Sequence, residues 1–313
     1  MLSTSRGMGR KLSLRELSSL FKPGIVASNS LTAITGLTLA RATLYRTAVT
    51  TVDARLLVVG IGVALLVAGA AAVNNGLDHK LDADMARTRG RPTATGRVSP
   101  AAAETIGACL AVLGLGLLAS LHPLSALLGM AGLLTYIFPY TLWTKRRSSL
   151  SSAVGGVAGA IPPLIGWSAS DPGLGGPALA LFLFLVVWQQ AHVWALALRR
   201  EGEYRSAGLP IGGLGAASGG GLTRRSRIGI LAWIAVAQVP LVASLPSLSK
   251  AIGIPFLAAS LGGGAAWFVA GFLSSRPLRS PEPARWGSAM FFASLAHLLL
   301  VFVSLLVLSL AAG

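Results

Sequence analysis

The chain contains nine apolar segments, each about as long as a helix that crosses a bilayer. A hydrocarbon core of about 30 Å requires roughly 20 apolar residues in a helix. The segments are 24–45, 56–76, 100–120, 124–143, 151–170, 177–198, 228–247, 251–273 and 287–311. Of the 313 residues, 53% are hydrophobic and only 12% are charged, which is not the composition of a soluble domain. We therefore predict an all-α integral membrane protein with about nine transmembrane helices.

The basic residues predict which helix ends face the cytoplasm, because Lys and Arg concentrate in cytoplasmic loops. With the N-terminus inside, the cytoplasmic segments carry 22 of the 26 basic residues. This distribution predicts an outside C-terminus, a basic cytoplasmic segment at 1–23 and a single transmembrane domain at 24–311. The first residues weakly resemble a transit peptide, but a basic flank of the first helix explains them better, and we predict a multi-pass protein of the cell membrane.

The formal net charge of +16 follows from these loops and favours contact with anionic lipid. No basic segment alternates with aromatic residues as base stacking requires, so we predict the lipid bilayer as a partner and no nucleic acid. The single cysteine rules out a disulfide framework within the chain. Outer loops are short, so we expect the chemistry at the cytoplasmic face.

The ten acidic residues are unevenly distributed, and three of them crowd together at Asp78, Asp82 and Asp84. On a helix, Asn74, Asp78 and Asp82 are spaced four residues apart and share one face, which we call the Asn/Asp stripe. Asp84 lies off this stripe. Carboxylates at an apolar boundary are unfavourable unless they are paired or liganded. The stripe therefore marks a candidate functional site.

Two interpretations of the Asn/Asp stripe remain open at this point. Oxygen ligands followed by arginines suit Mg²⁺ carrying a phosphate-rich substrate, since Mg²⁺ binds carboxylates and phosphate oxygens and Arg binds phosphate. Alternatively, the acids pair with Lys80, Arg87 and Arg89 and only solvate a helix end. Zinc fits poorly, because the chain has one cysteine and four histidines.

The stretch "NNGLDHKLDADMARTRGRP" at 74–92 resembles the N-x-x-x-D-x-x-x-D motif of the UbiA superfamily of intramembrane prenyltransferases. Three further stretches resemble one branch of that superfamily, which transfers a farnesyl group to a vinyl group of protohaem IX. They are "FKPGIVASNSLTAITG" at 21–36, "YTLWTKRRSSLSSAVGGVAGAIPPLIGWSA" at 140–169 and "HVWALALRREGEYRSAGLP" at 192–210. The last three apolar segments match in hydropathy only.

This resemblance implies a central cavity between the helices, an active site facing the cytoplasm, Mg²⁺ as cofactor, and farnesyl diphosphate and protohaem IX as substrates. Carried over by position, the catalytic and metal-binding residues are Asn74, Asp78, Asp82 and Glu203. The substrate-binding candidates are Lys22, Arg87, Arg91, Lys145, Arg146, Arg147 and His192. Glu203 stands where the family usually has Asp, and "WQQAH" replaces a proline-rich approach to His192.

Several assignments keep an alternative. The basic tripeptide at 145–147 is either an anchor for the haem propionates or a simple cytoplasmic loop. His192 either positions the acceptor or packs as a polar residue against a neighbouring helix. For the whole chain, the alternatives are a prenyltransferase acting on an aromatic or quinone precursor and a cation-coupled transporter. A transporter is expected to place its acids near the bilayer midplane, whereas these acids flank the inside ends of two spans.

Small residues and prolines in the fifth apolar segment make a structural prediction. The sequence "GGVAGA" at 155–160 sets Gly155 and Gly159 one helical turn apart, which predicts close helix packing in lipid. Pro162 and Pro163 predict a kink, and a kinked span must be shielded by its neighbours or border a cavity.

Overall fold

The computed structural model describes residues 12–45, 53–148, 150–206, 224–274 and 283–311, which consist of helices joined by loops. The α-helices are α1 (Leu14–Phe21), α2 (Pro23–Leu44), α3 (Ala54–Leu77), α4 (His79–Asp84), α5 (Pro100–Leu121), α6 (Pro123–Thr135), α7 (Ser151–Ala160), α8 (Pro162–Ser168), α9 (Gly176–Arg199), α10 (Glu201–Ser206), α11 (Arg224–Ala243), α12 (Lys250–Ser274) and α13 (Pro283–Ala311). A π-helix at Tyr136–Thr144 continues α6. No strand occurs within the described ranges.

Seven of the described helices are long and apolar enough to cross a membrane, and they confirm a helix at seven of the nine predicted spans. They are Ala54–Leu77, Pro100–Leu121, Pro123–Thr144, Gly176–Arg199, Arg227–Ser247, Lys250–Ser274 and Ala284–Ala311. The other two predicted spans coincide with α2, which is rich in Ser and Thr, and with α7 and α8, which are separate short helices. Their crossing of the membrane stays a prediction.

The fifth predicted span is broken at Ile161, because Pro162 and Pro163 have no backbone N–H to continue the ladder of α7. Both prolines are buried, as the shielding argument requires. The shield is α2: a Cβ built at Gly36 would lie 2.2 Å from the carbonyl oxygen of Pro163. Only a glycine allows the two backbones to approach this closely. The predicted close packing around Gly159 is also confirmed, since its Cβ would lie 2.6 Å from Oε1 of Gln189.

Helices α3 and α5 make the closest contact near the candidate site. Gly69 and Gly76 of α3 are seven residues apart, as are Gly107 and Gly114 of α5. A Cβ at Gly107 would lie 2.6 Å from the carbonyl oxygen of Gly69, and a Cβ at Gly69 would lie 2.5 Å from that of Gly107. Small residues therefore let the backbones touch, which is how helices pack in lipid. This contact fixes the end of α3 that carries the Asn/Asp stripe.

The remaining long helices pack around large buried side chains. Helix α9 contacts α11 and α13, and α12 contacts α13. Trp167, Phe184, Phe256, Trp286 and Phe302 are fully buried among them. This core leaves the polar residues of the candidate site at one end of the helices.

Candidate active site

The Asn/Asp stripe continues across the end of α3. Helix α3 ends at Leu77, and Asp78 connects it to α4 with φ −95° and ψ 5°. The backbone N–H of Asp78 still donates to Asn74 at 2.9 Å, and that of Asp82 donates to Asp78 at 2.8 Å. The helical spacing is therefore preserved, and the three residues are only 3%, 1% and 4% exposed, in chain order.

Asp78 is surrounded by hydrogen-bond donors. Its carboxylate accepts a hydrogen bond of 2.8 Å from the amide nitrogen of Asn74 and one of 3.1 Å from Arg146. It also forms an ion pair with Lys145. The amide nitrogen of Asn74 also lies 3.2 Å from Oγ1 of Thr141. Burial raises the pKa of the Asp78 carboxyl, but the nearby Lys145 and Arg146 outweigh it and hold the pKa below its usual value. Asp78 is therefore a carboxylate at neutral pH.

The π-helix explains why Thr141 reaches Asn74 and why Lys145 and Arg146, which follow it directly, reach Asp78. Pro139 lies inside it, and Thr141 Oγ1 donates at 2.8 Å to the carbonyl oxygen of Tyr136, five residues back. Wide helical turns of this kind occur frequently at functional sites. Two features of the sequence pointed to it, a proline inside an apolar span and threonines after that proline, but neither Thr141 nor the π-helix was among the predictions.

Asp82 is paired with Arg91, whose guanidinium lies 2.7 Å from the Asp82 carboxylate and 3.0 Å from the Asn75 carboxamide oxygen. The loop between α4 and α5 supports this pair, because Thr88 Oγ1 donates at 3.0 Å to the carbonyl oxygen of Asp82. The buried Asn75 was not a predicted site residue. The pair of asparagines in the sequence was the only signal for it.

Lys22 completes the cluster from the junction of α1 and α2. Its ammonium donates at 3.1 Å to the side-chain oxygen of Asn74. Desolvation and the positive charges of Arg91 and Lys145 lower the pKa of Lys22 to about 7. The structure thus brings together seven predicted residues: Lys22, Asn74, Asp78, Asp82, Arg91, Lys145 and Arg146.

The second acidic loop approaches this cluster without direct contact to the stripe. Glu203 pairs with Arg200 at 2.8 Å, while its other carboxylate oxygen, Oε2, is buried without a hydrogen-bond partner among the described residues. The charge of the exposed Arg87 interacts with those of Arg91, Arg200 and Glu203. A cavity of about 350 Å³ adjoins Glu203 where α9 and α10 meet the start of α13.

Two predicted residues lie apart from the cluster. Arg147 is exposed in the loop after the π-helix. His192 donates to or accepts from Ser294 of α13 at 2.7 Å and lies between the rings of Trp188 and Phe291. These are the contacts expected of the packing alternative, and a role of His192 toward an acceptor stays a prediction. Asp84, which lies off the stripe, is exposed.

The donor set fits a hard cation. Within the described ranges, no three Asp, Glu, His or Cys side chains form a cluster that could hold a metal ion. The Asn/Asp stripe instead offers one amide and two carboxylate side chains, and in the second acidic loop Oε2 of Glu203 is buried without a partner among the described residues. Oxygen donors of this kind suit Mg²⁺, which completes its shell with water and phosphate. The surrounding cations suit the phosphate groups.

Comparisons with known proteins identify the family of this chain. The chain matches the profile of the UbiA prenyltransferase family over residues 30–296. It is 38% identical over 299 residues to proteins named protoheme IX farnesyltransferase from Bacillus thuringiensis (strain Al Hakam) and Bacillus cereus (strain B4264), covering 95% of this chain and 92% of each relative. The chain therefore belongs to the UbiA prenyltransferase family.

Solved structures show the same fold at low sequence identity. A UbiA homolog from Archaeoglobus fulgidus bound to GPP and Mg²⁺ has a TM-score of 0.62 and 13% identity, covering 93% of this chain and 99% of that one. A UbiA homolog from Aeropyrum pernix K1 has a TM-score of 0.63 and 20% identity, covering 88% and 96%. These likenesses establish the arrangement of helices.

Proposed function

We propose that this chain transfers a farnesyl group from farnesyl diphosphate to a vinyl group of protohaem IX and releases diphosphate. The observation that carries the proposal is the buried Asn/Asp stripe enclosed by Lys22, Arg91, Lys145 and Arg146. Carboxylates and cations in one buried cluster are what a metal-bound diphosphate requires. The relatives named protoheme IX farnesyltransferase supply the choice of prenyl donor and acceptor.

In this proposal, Asn74, Asp78, Asp82 and Glu203 hold Mg²⁺, which when bound neutralises charge on the departing diphosphate. Lys145 and Arg146 exchange their contact with Asp78 for phosphate oxygens, and Lys22 lies within reach of the same group. Departure of the diphosphate leaves an allylic cation, and the apolar helices keep it from premature reaction with water. The electron-rich vinyl group captures it by forming a carbon–carbon bond. Water then adds to the vinyl carbon left electron-poor and loses a proton to solvent, which gives a hydroxyethyl farnesyl side chain.

The setting of the site is part of the same proposal. Nine spans surround a central cavity, the segment 1–23 and the active site face the cytoplasm, and the protein lies in the cell membrane. The support is the concentration of basic residues in alternate loops, together with the ends of the helices at which the cluster lies. Arg87 and Arg147 remain candidate contacts for phosphate or for haem propionate, and His192 remains a candidate contact for the acceptor.

The metal and diphosphate assignment is tested by Asp78→Ala and Asp82→Ala. Each variant removes a buried carboxylate from the stripe, so Mg²⁺-dependent release of diphosphate from farnesyl diphosphate should fall by at least about 100-fold, as for other electrostatic groups in active sites. Asp84→Ala is the matched control, because Asp84 is exposed and off the stripe. Unchanged turnover in both stripe variants would contradict the assignment.

The acceptor is tested by expressing the chain in a strain that lacks haem O and identifying the extracted haems by mass. The expected product is farnesylated hydroxyethyl haem. A prenylated phenol or quinone precursor without that haem would instead favour the aromatic-acceptor alternative. Cation transport without any prenyl product would favour a transporter, although family membership and the placement of the acids at helix ends argue against it.

A further inference from the structure

Asn75 is completely buried but lies off the Asn/Asp stripe. Its amide nitrogen donates to the carbonyl oxygens of Ser19 at 3.1 Å and Leu20 at 2.9 Å. Its amide oxygen accepts a hydrogen bond of 3.0 Å from Arg91. Both hydrogens and the oxygen of the carboxamide are thus engaged by the protein itself, so the side chain serves the structure around the site.

Two of these bonds complete the end of α1. Carbonyl groups in the last turn of a helix have no partner within the helix, and Asn75 supplies donors to them from α3. Helix α1 then ends, and Lys22 follows with φ 53° and ψ 61°. This left-handed conformation is unfavourable for residues other than glycine, and Pro23 disfavours it further by favouring extended backbone before it. Neighbouring groups must therefore enforce the conformation of Lys22.

The enforced conformation directs the Lys22 ammonium to Asn74, at 3.1 Å. We infer that Asn75 is a positioning residue, which fixes the last turn of α1 and thereby holds Lys22 where the diphosphate binds. The inference rests on the proposed function, because the prenyl diphosphate is the group that Lys22 contacts. Asn75 itself touches neither the substrate nor the metal in this assignment.

Helix α1 has two other anchors, so it stays attached without Asn75. Glu16 forms an ion pair with Arg97, and Leu20 packs with Ala72 and Ala103. Loss of the Asn75 bonds should therefore free the C-terminal turn of α1 and the Lys22 backbone, while the helix remains docked. Because helix α1 stays docked, the effect of Asn75 on Lys22 can be tested in a folded protein.

The test uses Asn75→Asp, which keeps the size and the acceptor for Arg91 but removes both donors to α1. In the full-length protein in lipid nanodiscs, calorimetry measures the Kd of Mg²⁺ with farnesyl thiolodiphosphate, which resists cleavage. The Kd should rise about tenfold, the effect of losing one charge-assisted hydrogen bond. Arg97→Gln is the control, because it removes another anchor of α1, and its Kd should change less than about twofold.

The decisive comparison repeats Asn75→Asp in a Lys22→Met background. If Asn75 acts through Lys22, adding Asn75→Asp to the Lys22→Met variant should change its Kd by less than about twofold. The reason is that the effects of two coupled residues do not add. An unchanged Kd for Asn75→Asp alone, or the full tenfold loss in both backgrounds, would overturn the inference. A wild-type protein that fails to bind farnesyl thiolodiphosphate would overturn the proposed function, and the inference with it.

Discussion

Lys22 shows how a single residue can respond to the charge of its ligand. Its ammonium is desolvated and lies near Arg91 and Lys145, so its pKa is about 7 rather than the 10.5 of a free lysine. Asp78 and Asp82 offset only part of this effect. A bound diphosphate adds negative charge beside the ammonium and should raise the pKa again. Above pH 7, ligand binding should therefore bring a proton to Lys22.

This proton can be counted. At about pH 8.5, wild-type protein should take up nearly one proton more than Lys22→Met on binding a prenyl diphosphate, and at about pH 6 the difference should vanish because Lys22 is already charged. Calorimetry in buffers of different ionisation enthalpy measures the uptake. Any change in the protonation of the ligand is the same for both proteins, so it cancels when their proton uptakes are subtracted. Equal uptake in both at the higher pH would refute the role given to Lys22.

The same shift has a consequence for stability. The pKa of Lys22 is lower in the folded state than in the unfolded state, so the unfolded chain binds more protons between about pH 7 and 10.5. The contribution of Lys22 to the free energy of unfolding therefore rises with pH across this window and is smallest below pH 7. The sequence predicted Lys22 as an anion contact, but the loss of its charge depends on burial, which becomes visible only in the fold.

At the scale of helices, the contact between α3 and α5 should be the most sensitive support of the site. A Cβ at Gly107 would lie 2.6 Å from the carbonyl oxygen of Gly69, so Gly107→Leu must force the helices apart. We expect a loss of about 1–3 kcal/mol in the free energy of unfolding, together with weaker binding of prenyl diphosphate. Thermal unfolding followed by size-exclusion chromatography measures the first effect, and calorimetry the second.

The control for this prediction lies on the same helix. A Cβ at Gly116 would have no neighbour within 4 Å, so Gly116→Leu introduces the same side chain into open space toward lipid. Its stability and its affinity should match those of the wild type. If Gly107→Leu behaves in the same way, the close approach of α3 and α5 does not support the site.

The positions of the long helices could be predicted from the sequence, but some of their irregular turns could not. Hydropathy located seven long helices, and the double proline located the break at Ile161. The spacing of the Asn/Asp stripe was also predicted correctly, because backbone bonds carry it across the end of α3. The π-helix was missed, although Pro139 and the threonines after it were signals in the sequence, since these residues alone do not distinguish its wider turns from a kinked α-helix. Partners such as Asn75 with Ser19 depend on tertiary contacts and were equally invisible.

At the scale of the whole molecule, the site is assembled from segments far apart in the chain. Lys22 precedes α2, the Asn/Asp stripe starts in the last turn of α3, and Lys145 follows the π-helix, yet both lysines contact the stripe. The contacts require the start of α2 and the ends of α3 and of the π-helix to lie on one side of the membrane. The orientation of the chain therefore decides which compartment supplies the prenyl diphosphate.

Cysteine labelling tests this orientation. In a Cys109→Ser background, Arg147→Cys places a thiol in the loop after the π-helix, on the side of the site, and Gly173→Cys places one in the loop between α8 and α9. Both positions are exposed. Because basic loops face the cytoplasm, a membrane-impermeant maleimide should label Gly173→Cys in intact spheroplasts and Arg147→Cys only in inverted vesicles. The reverse pattern would place the diphosphate site on the outer face, where cytoplasmic prenyl diphosphates do not reach it.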